Sequence, residues 1–275
     1  EYYVSFNYED GQKPQDPWVQ VRELISEGET ALNEASEGFD RGVVIKVQGS
    51  SGESYALTPG QEKTIQKKEK RIHKNQKRQS RQKKGSNRQK KTQRALAKDH
   101  AKVAHVRDDY AHQSSHRMVS SEAQVLIWEA LGVVQMSKRP KVKQDQKGRY
   151  LANGAKAKAG LNAAILSSCW GQILRYVGYK ALRKSKLVIV LSPYQSSQEC
   201  VKCHHTHPDN RKSQSLFLCS CCGYTENADK NASDIMKYRG VKALLEIPRE
   251  HWEETSKGSG IWKIVKPPAG TRVGA

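Results

Sequence analysis

The stretch from Cys200 to Ala232, CVKCHHTHPDNRKSQSLFLCSCCGYTENADKNA, governs how the rest of the chain is read. Cys200 and Cys203 form one C-x2-C knuckle, and Cys219 and Cys222 form a second after fifteen intervening residues. That is the spacing of a four-cysteine zinc ribbon, in which two tight turns each present a thiolate pair to one tetrahedral ion. Gly223 follows the second knuckle, where a residue free to take positive φ lets the turn close. Asp229, seven residues past Cys222, stands at the start of a helix expected over 228–245. The helix dipole alone is a sufficient reason for an acid there. A ribbon that runs straight onto an acid nevertheless points to a metal-dependent nuclease rather than a freestanding finger. His204, His205 and His207 crowd the first knuckle and Cys221 the second. A histidine or Cys221 is therefore an alternative ligand, although only Cys219 and Cys222 keep the two-residue spacing.

Outward from the ribbon, LVIVL at Leu187–Leu191 reads as a buried strand stopped by Ser192 and Pro193. The apolar spacing of Leu161–Leu182 predicts one helix, with Leu166, Trp170 and Leu174 as a core stripe and Cys169 as a buried thiol. QVLIWEAL, Gln124–Leu131, is a second buried strand with Glu129 near its end, and Phe39–Val47 a third that carries Asp40. A turn at Gly49–Gly52 leads to a partner strand at Tyr55–Leu57. Residues 9–37 read as a linker with one short helix near Val19–Ile25, 137–160 as a basic loop, and 247–275 as an irregular tail.

Charge sets the partner class. Against 28 Asp and Glu stand 48 Lys and Arg, a formal charge of +20, which implies a polyanion. Sixteen of those cations lie between Lys63 and Lys98 with the single acid Glu69. Ile65 and Ile72 are one heptad apart, as are Leu96 and Val103, and Gly85-Ser86-Asn87 interrupts the run. Two helices with thin apolar seams and wide basic faces fit this pattern, the alternative being a solvated or disordered tract. In the hairpin, placed at 61–118, Lys83, Lys84, Arg88, Lys90 and Lys91 are the candidate phosphate contacts. Arg211, between the knuckles, is a further candidate for phosphate, with a salt bridge inside the ribbon as its other reading. A membrane is a poor partner, because Leu161–Leu182 contains Asn162, Arg175 and Lys180. Four thiols given to zinc, with Cys169 and Cys221 left unpaired, suit a reducing compartment, so the cytoplasm is expected. His112 and His116 lack the glutamate of a zincin helix and are expected to be exposed.

Asp40, Glu129 and Asp229 each interrupt apolar surroundings, and a buried carboxylate needs a partner or a metal. GFDRGV, VLIWEAL and CVKC…CSCCGYTENADKNA resemble the three RuvC-type motifs and inserted zinc ribbon of the TnpB (OrfB) family of insertion sequences. GSNRQKK, KAGLNAAILSSCWGQ and SPYQSSQEC are further matches, and the resemblance runs from about Tyr2 to Gly240. These proteins are transposon-encoded RNA-guided DNA endonucleases, related to the type V CRISPR effectors. The resemblance implies an α/β, RNase H-like (RuvC) fold, a mixed sheet with flanking helices spanning 38–194 and completed by a helix at 228–246, with the ribbon inserted at 195–227. It implies Asp40, Glu129 and Asp229 as catalytic acids holding two Mg2+ ions, and Cys200, Cys203, Cys219 and Cys222 as ligands of a structural Zn2+. DNA is the implied partner, with guide RNA in the full-length form, for a monomer or weak dimer in a bacterial or archaeal cytoplasm, associated with the nucleoid. His204 departs from the family, which has Gly there. The family also carries wedge and recognition domains ahead of the nuclease. Residues 1–37 read as a remnant of the wedge, with Tyr2–Tyr8 its last strand, so the chain is expected to be N-terminally truncated. The rival readings are a non-enzymatic zinc-ribbon nucleic-acid-binding protein and a non-catalytic transposition accessory.

Overall fold

The computed structural model describes residue 11 and residues 14–265, so the strand expected at Tyr2–Tyr8 lies outside the described residues. In chain order the elements begin with helices α1 (Pro17–Glu27) and α2 (Glu29–Glu34), then strands β1 (Ser36–Asp40), β2 (Val47–Gly49) and β3 (Ser54–Tyr55). Two long helices follow, α3 (Pro59–Gln79) and α4 (Asn87–Val119), then β4 (Val125–Glu129) and the short α5 (Val133–Met136). Next come the small hairpin β5 (Lys143–Gln144) and β6 (Tyr150–Leu151), helices α6 (Ala155–Ser167) and α7 (Trp170–Arg183), and β7 (Leu187–Leu191). The ribbon strands β8 (Leu216–Leu218) and β9 (Thr225–Asn227) precede α8 (Ala228–Glu246), and β10 (Trp252–Glu254) and β11 (Ile261–Ile264) complete the described chain.

Seven strands form one sheet in the order β10-β11-β7-β4-β1-β2-β3. Strands β1, β4, β7 and β11 run parallel, while β2, β3 and β10 are antiparallel to their neighbours. Alternation along β4 shows why helices cover both faces. Leu126 and Trp128 join a core with Phe39, Val188, Val190 and residues of α4 and α7. Val125 and Ile127 join a second core with Leu187, Ile189 and residues of α1 and α8. Strands buried on both faces read as continuous apolar runs, which is the pattern of VLIW and LVIVL.

Several expectations are corrected. The strand predicted over Phe39–Val47 ends at Asp40, and Arg41–Lys46 form a loop before β2. The expected linker is two helices whose Trp18, Val21 and Leu32 are buried in the second core. Leu161–Leu182 is two helices rather than one, broken at Cys169, which takes φ +63 and caps α7. Cys169 is half-buried rather than buried, and Leu166 of the predicted core stripe is exposed. The segment 137–160 contains the β5–β6 hairpin and the start of α6. The expected irregular tail instead supplies β11, paired onto β7, and β10, paired onto β11.

The basic tract is a hairpin of α3 and α4. Thr58 starts α3 with a capping box to Gln61 and Pro59 in the first turn, and Ser86 caps α4. Ile65, Ile72, Leu96, Val103 and Val106 form its seam. Tyr110, Ala111, Met118 and Val119, on the C-terminal half of α4, sit in the first sheet core. The N-terminal half of α4 and the tip therefore project beyond the sheet.

Candidate active site and metal centre

Asp40 and Glu129 arrive together because their strands are neighbours in register. Phe39 lies opposite Trp128 in the parallel β1–β4 pair, so the next residues, Asp40 and Glu129, are level at the carboxyl ends. Phe39 and Trp128 turn to the α4–α7 face, where their rings stack at 4.7 Å. By alternation the two acids turn to the opposite face, where α8 packs. Asp229 is in the first turn of α8, fixed by Asn227, whose Oδ1 accepts from the backbone N–H of Asp229 and Lys230 at 2.9 and 3.2 Å.

All three carboxylates are buried, at 8%, 4% and 6% exposure for Asp40, Glu129 and Asp229. Burial raises the Asp40 pKa well above the usual carboxylate range, and the charges of Glu129 and Asp229 raise it further. Glu129 is raised by burial against the opposing pull of Arg41 and of the Ser196 hydroxyl, which donates to Oε1 at 3.0 Å. Asp229 is raised by burial although Arg211 donates to its Oδ1 at 3.3 Å. Asp40 thus senses both of the other acids through space. Among the described residues, however, their oxygens are not drawn within 4.8 Å of one another as the cysteine sulfurs are.

Two cations enter that the acids' sequence neighbourhoods do not single out. Arg41, buried beside Asp40, donates to the Glu129 carbonyl oxygen, and burial lowers its pKa to about 10. Arg211 reaches Asp229 from the ribbon, so the ion pair is formed to the acid itself. Ser196 is a third contributor. All three lie inside the motifs GFDRGV, NRKSQSLFLC and SPYQSSQEC, but only packing shows what they touch.

Cys200, Cys203, Cys219 and Cys222 place all four sulfurs within 4.8 Å of one another, close enough to ligate a single metal ion. Cys221 is exposed and outside the group. His204 is turned away, its Nδ1 3.1 Å from Glu199 Oε1 and its ring stacked on Tyr238 at 4.1 Å. It takes φ +57, which explains why glycine suits that position. His207 Nδ1 accepts from the backbone N–H of Asp209. His205, like the other three competing side chains, is outside the four-cysteine group.

Buried Asn210 knits the ribbon, donating to the carbonyls of Gln198 and His205 and accepting from Ser220. Asn231 of α8 accepts from the Val201 N–H and donates to the Glu199 carbonyl, and Arg239 pairs with Glu199. The ribbon is thus tied to the helix that carries Asp229.

Lys83, Lys84, Arg88, Lys90 and Lys91 are all exposed at the α3–α4 tip. At 1.5 Å per residue, Arg88 is roughly 30 Å along the helix from Tyr110, where α4 meets the sheet. The tip cations and the acids are separate surfaces.

Residues 30–139 match the family model described as "Probable transposase" (OrfB of IS605), and residues 170–235 match the one described as "Cas12f1-like, TNB domain". The resemblance to the TnpB/OrfB family holds. The chain is 36% identical over 141 residues to the Escherichia coli (strain K12) protein named "Putative RNA-guided DNA endonuclease InsQ", covering 51% of this chain and 34% of that one. It is 30% identical over 132 residues to a protein of Sulfoacidibacillus thermotolerans named "CRISPR-associated endodeoxyribonuclease Cas12f1", covering 48% and 27%. The alignments thus span about a third or less of these relatives. A solved Cas12f1–sgRNA–target DNA complex matches in fold with a TM-score of 0.50 at 13% identity, over 74% of this chain and 38% of that one. The TnpB/OrfB match to "Probable transposase" covers both β1 and β4, with Asp40 and Glu129, and the "TNB domain" match covers the ribbon and Asp229. Among the described residues no helix is long and apolar enough to cross a membrane.

Proposed function

We propose that this chain is the nuclease core of a transposon-associated, RNA-guided DNA endonuclease, with Asp40, Glu129 and Asp229 as its metal-binding acids. The observation that carries the reading is the placing of three buried acids at the carboxyl ends of the neighbouring strands β1 and β4 and in the first turn of α8, with Asp40 in the field of the other two. The run β3-β2-β1-β4-β7, antiparallel to β1 and parallel from there, supports the RNase H-like (RuvC) assignment. One core, 38–194 with 228–246, is interrupted by the ribbon at 195–227.

Three acceptor-only carboxylates suit Mg2+, which takes oxygen ligands and keeps several waters. A pair of such ions supplies an activated water and stabilises the leaving oxygen of a phosphodiester. The chain's own residues set the charge. Arg41 and Ser196 hold Glu129 in place, and Arg211 neutralises Asp229 from the ribbon side. The non-catalytic readings give no reason for three buried acids at the ends of β1 and β4 and the start of α8.

The ribbon's sulfurs fit Zn2+. Cys200–Cys222 and Cys203–Cys219 are 3.7 and 3.5 Å apart, against about 3.8 Å for sulfurs at tetrahedral corners around zinc. The zinc's role is structural, holding Arg211 and the start of α8 in place. The tip cations Lys83, Lys84, Arg88, Lys90 and Lys91 contact phosphates, with guide RNA and target DNA as partners of the whole protein.

The test is magnesium-dependent cleavage by the guide-loaded, full-length protein. Asp40→Ala, Glu129→Ala and Asp229→Ala are each expected to abolish cutting, by at least about a thousandfold, with nucleic-acid binding changed less than about threefold. Variants that cut at the parental rate would overturn the site. Loss in Asp229→Ala alone would reduce that residue to a helix cap and end the two-metal reading.

A further inference from the structure

The β5–β6 hairpin is the least buried element of the described chain, yet it carries apolar side chains. Tyr150 is 78% exposed, Val142 68% and Leu151 51%. Solvent exposure of a tyrosine and two aliphatics within ten residues is a surface without its partner. Six cations, Lys138, Arg139, Lys141, Lys143, Lys147 and Arg149, lie in the overlapping stretch 138–149 with the single acid Asp145. Asp145 offsets one of these charges and shapes the turn, its Oδ1 accepting the backbone N–H of Lys147 and Arg149 at 2.9 and 2.8 Å. None of the six cations has a carboxylate partner among the described residues.

The hairpin is held in shape although it buries nothing. Its turn closes through Gly148, at φ +75, and its base is clamped where Asn153 Nδ2 donates to the Lys141 carbonyl. Lys158 and Asn162 of α6 then donate to the carbonyls of Met136 and Ser137 just before it. The register places Tyr150 opposite Gln144 and Leu151 opposite Lys143. Since paired residues share a face, the tyrosine ring lies beside an amide side chain and Leu151 beside an ammonium. The hairpin follows Glu129 in the chain through α5 alone.

We propose that this hairpin docks an unpaired nucleic-acid strand, with a base stacked on Tyr150 and its phosphates passing round the edge of the two-stranded ribbon to Lys143 and Arg149, which alternation places on the other face. The proposal rests on the nuclease reading for its role, which is to hold a single strand for the site that carries Asp40 and Glu129. Charge decides the class of partner. Protein interfaces deplete lysine at their centres, whereas single-strand sites combine cations with exposed aromatic faces. The α3–α4 hairpin differs in kind, because Lys63–Lys98 contains no aromatic residue and suits backbone contacts only. The chain thus has one surface for phosphates alone and one for an unpaired strand.

The experiment is fluorescence anisotropy with the full 275-residue chain, with no divalent metal added so that cleavage plays no part. The probes are labelled oligo-dT, oligo-U and a DNA duplex of equal length. Tyr150→Ala is expected to weaken binding to the single strands about tenfold, within the range of base–aromatic stacking, and duplex binding less than twofold. Tyr150→Phe is expected to bind like the parent, and Lys143→Gln with Arg149→Gln to flatten the salt dependence. A difference between oligo-dT and oligo-U in the size of the Tyr150→Ala effect identifies which strand docks. Equal affinity of Tyr150→Ala and parent for both single strands overturns the proposal, as does equal loss in Tyr150→Phe. Self-association of the parent that Tyr150→Ala abolishes, with single-strand binding intact, also overturns it in favour of a protein interface. The assay reads binding with no divalent metal present, so a failure of the catalytic assignment leaves this result standing.

Discussion

Gly38 in β1 is where the backbone of α8 comes closest to the sheet. A Cβ there would lie 2.3 Å from the Ser233 carbonyl oxygen and 2.5 Å from the Lys237 nitrogen. Both are backbone atoms, which cannot swing aside. Gly38 therefore sets the height of α8 over β1, and so the approach of Asp229 to Asp40 two residues further on. Gly38→Ala is expected to destabilise the protein by at least about 2 kcal/mol, the cost of overpacking a close contact, and to reduce cleavage by displacing Asp229. Gly60→Ala, in open space in the first turn of α3, is the control and should shift stability by under about 0.5 kcal/mol. Equal denaturation midpoints for Gly38→Ala and parent would remove the close approach as the reason for glycine. At this scale the acids and cysteines are legible in the sequence, because polar interruptions and two-residue spacings are local patterns. Arg41, Ser196 and Asn231 are not, since their partners are 88, 67 and 30–32 residues away.

Among the elements, the α3–α4 hairpin depends on one acid among many cations. Asp99 is fully buried, with Lys68 Nζ at 3.0 Å and Arg71 Nε at 2.7 Å. Burial raises its pKa, but these two hydrogen-bonded cations pull harder and leave it below the usual value. A depressed folded-state pKa means the unfolded chain takes up the proton first as pH falls. The contribution is therefore complete above about pH 4 and is lost as pH drops through the folded value. Asp99→Asn is expected to cost about 2 kcal/mol, moderated by the partial exposure of both cations. Thermal unfolding followed by circular dichroism should show a constant difference from parent between about pH 5 and 8, closing below about pH 4. A difference that persists unchanged to about pH 2 would assign the effect to packing instead. The heptads of Ile65 and Leu96 made this hairpin legible, whereas Asp99 looks in sequence like any surface acid. The break at Cys169 was hidden because the apolar spacing runs on through it, and only a positive φ stops the helix. Strands β10 and β11 were hidden because three- and four-residue strands at a sheet edge carry little periodicity.

In the whole molecule, the ribbon is the part least able to hold itself. Its own apolar cluster is Cys200, Phe217, Cys219 and Ala228, with Tyr224 against it, and two of these are thiols meant for metal. The two sheet cores share none of these residues. So small a cluster does not offset the entropy of ordering some thirty residues, and metal binding must supply the difference. Loss of zinc then has a direction. The ribbon is expected to open first, carrying with it Arg211 and the hydrogen bonds from Asn231 that fix the start of α8, with the parallel strands keeping their packing. Cys200→Ser, or chelation of the parent, is expected to remove one bound zinc and to abolish cleavage. Hydrogen exchange should accelerate across residues 195–231 and stay slow in β4 and β7, with unfolding in two steps rather than one. Well-folded parent protein that holds no zinc, or exchange that rises equally in the sheet, would mean that the ribbon and core are a single cooperative unit. In that case the metal would not be what places Asp229.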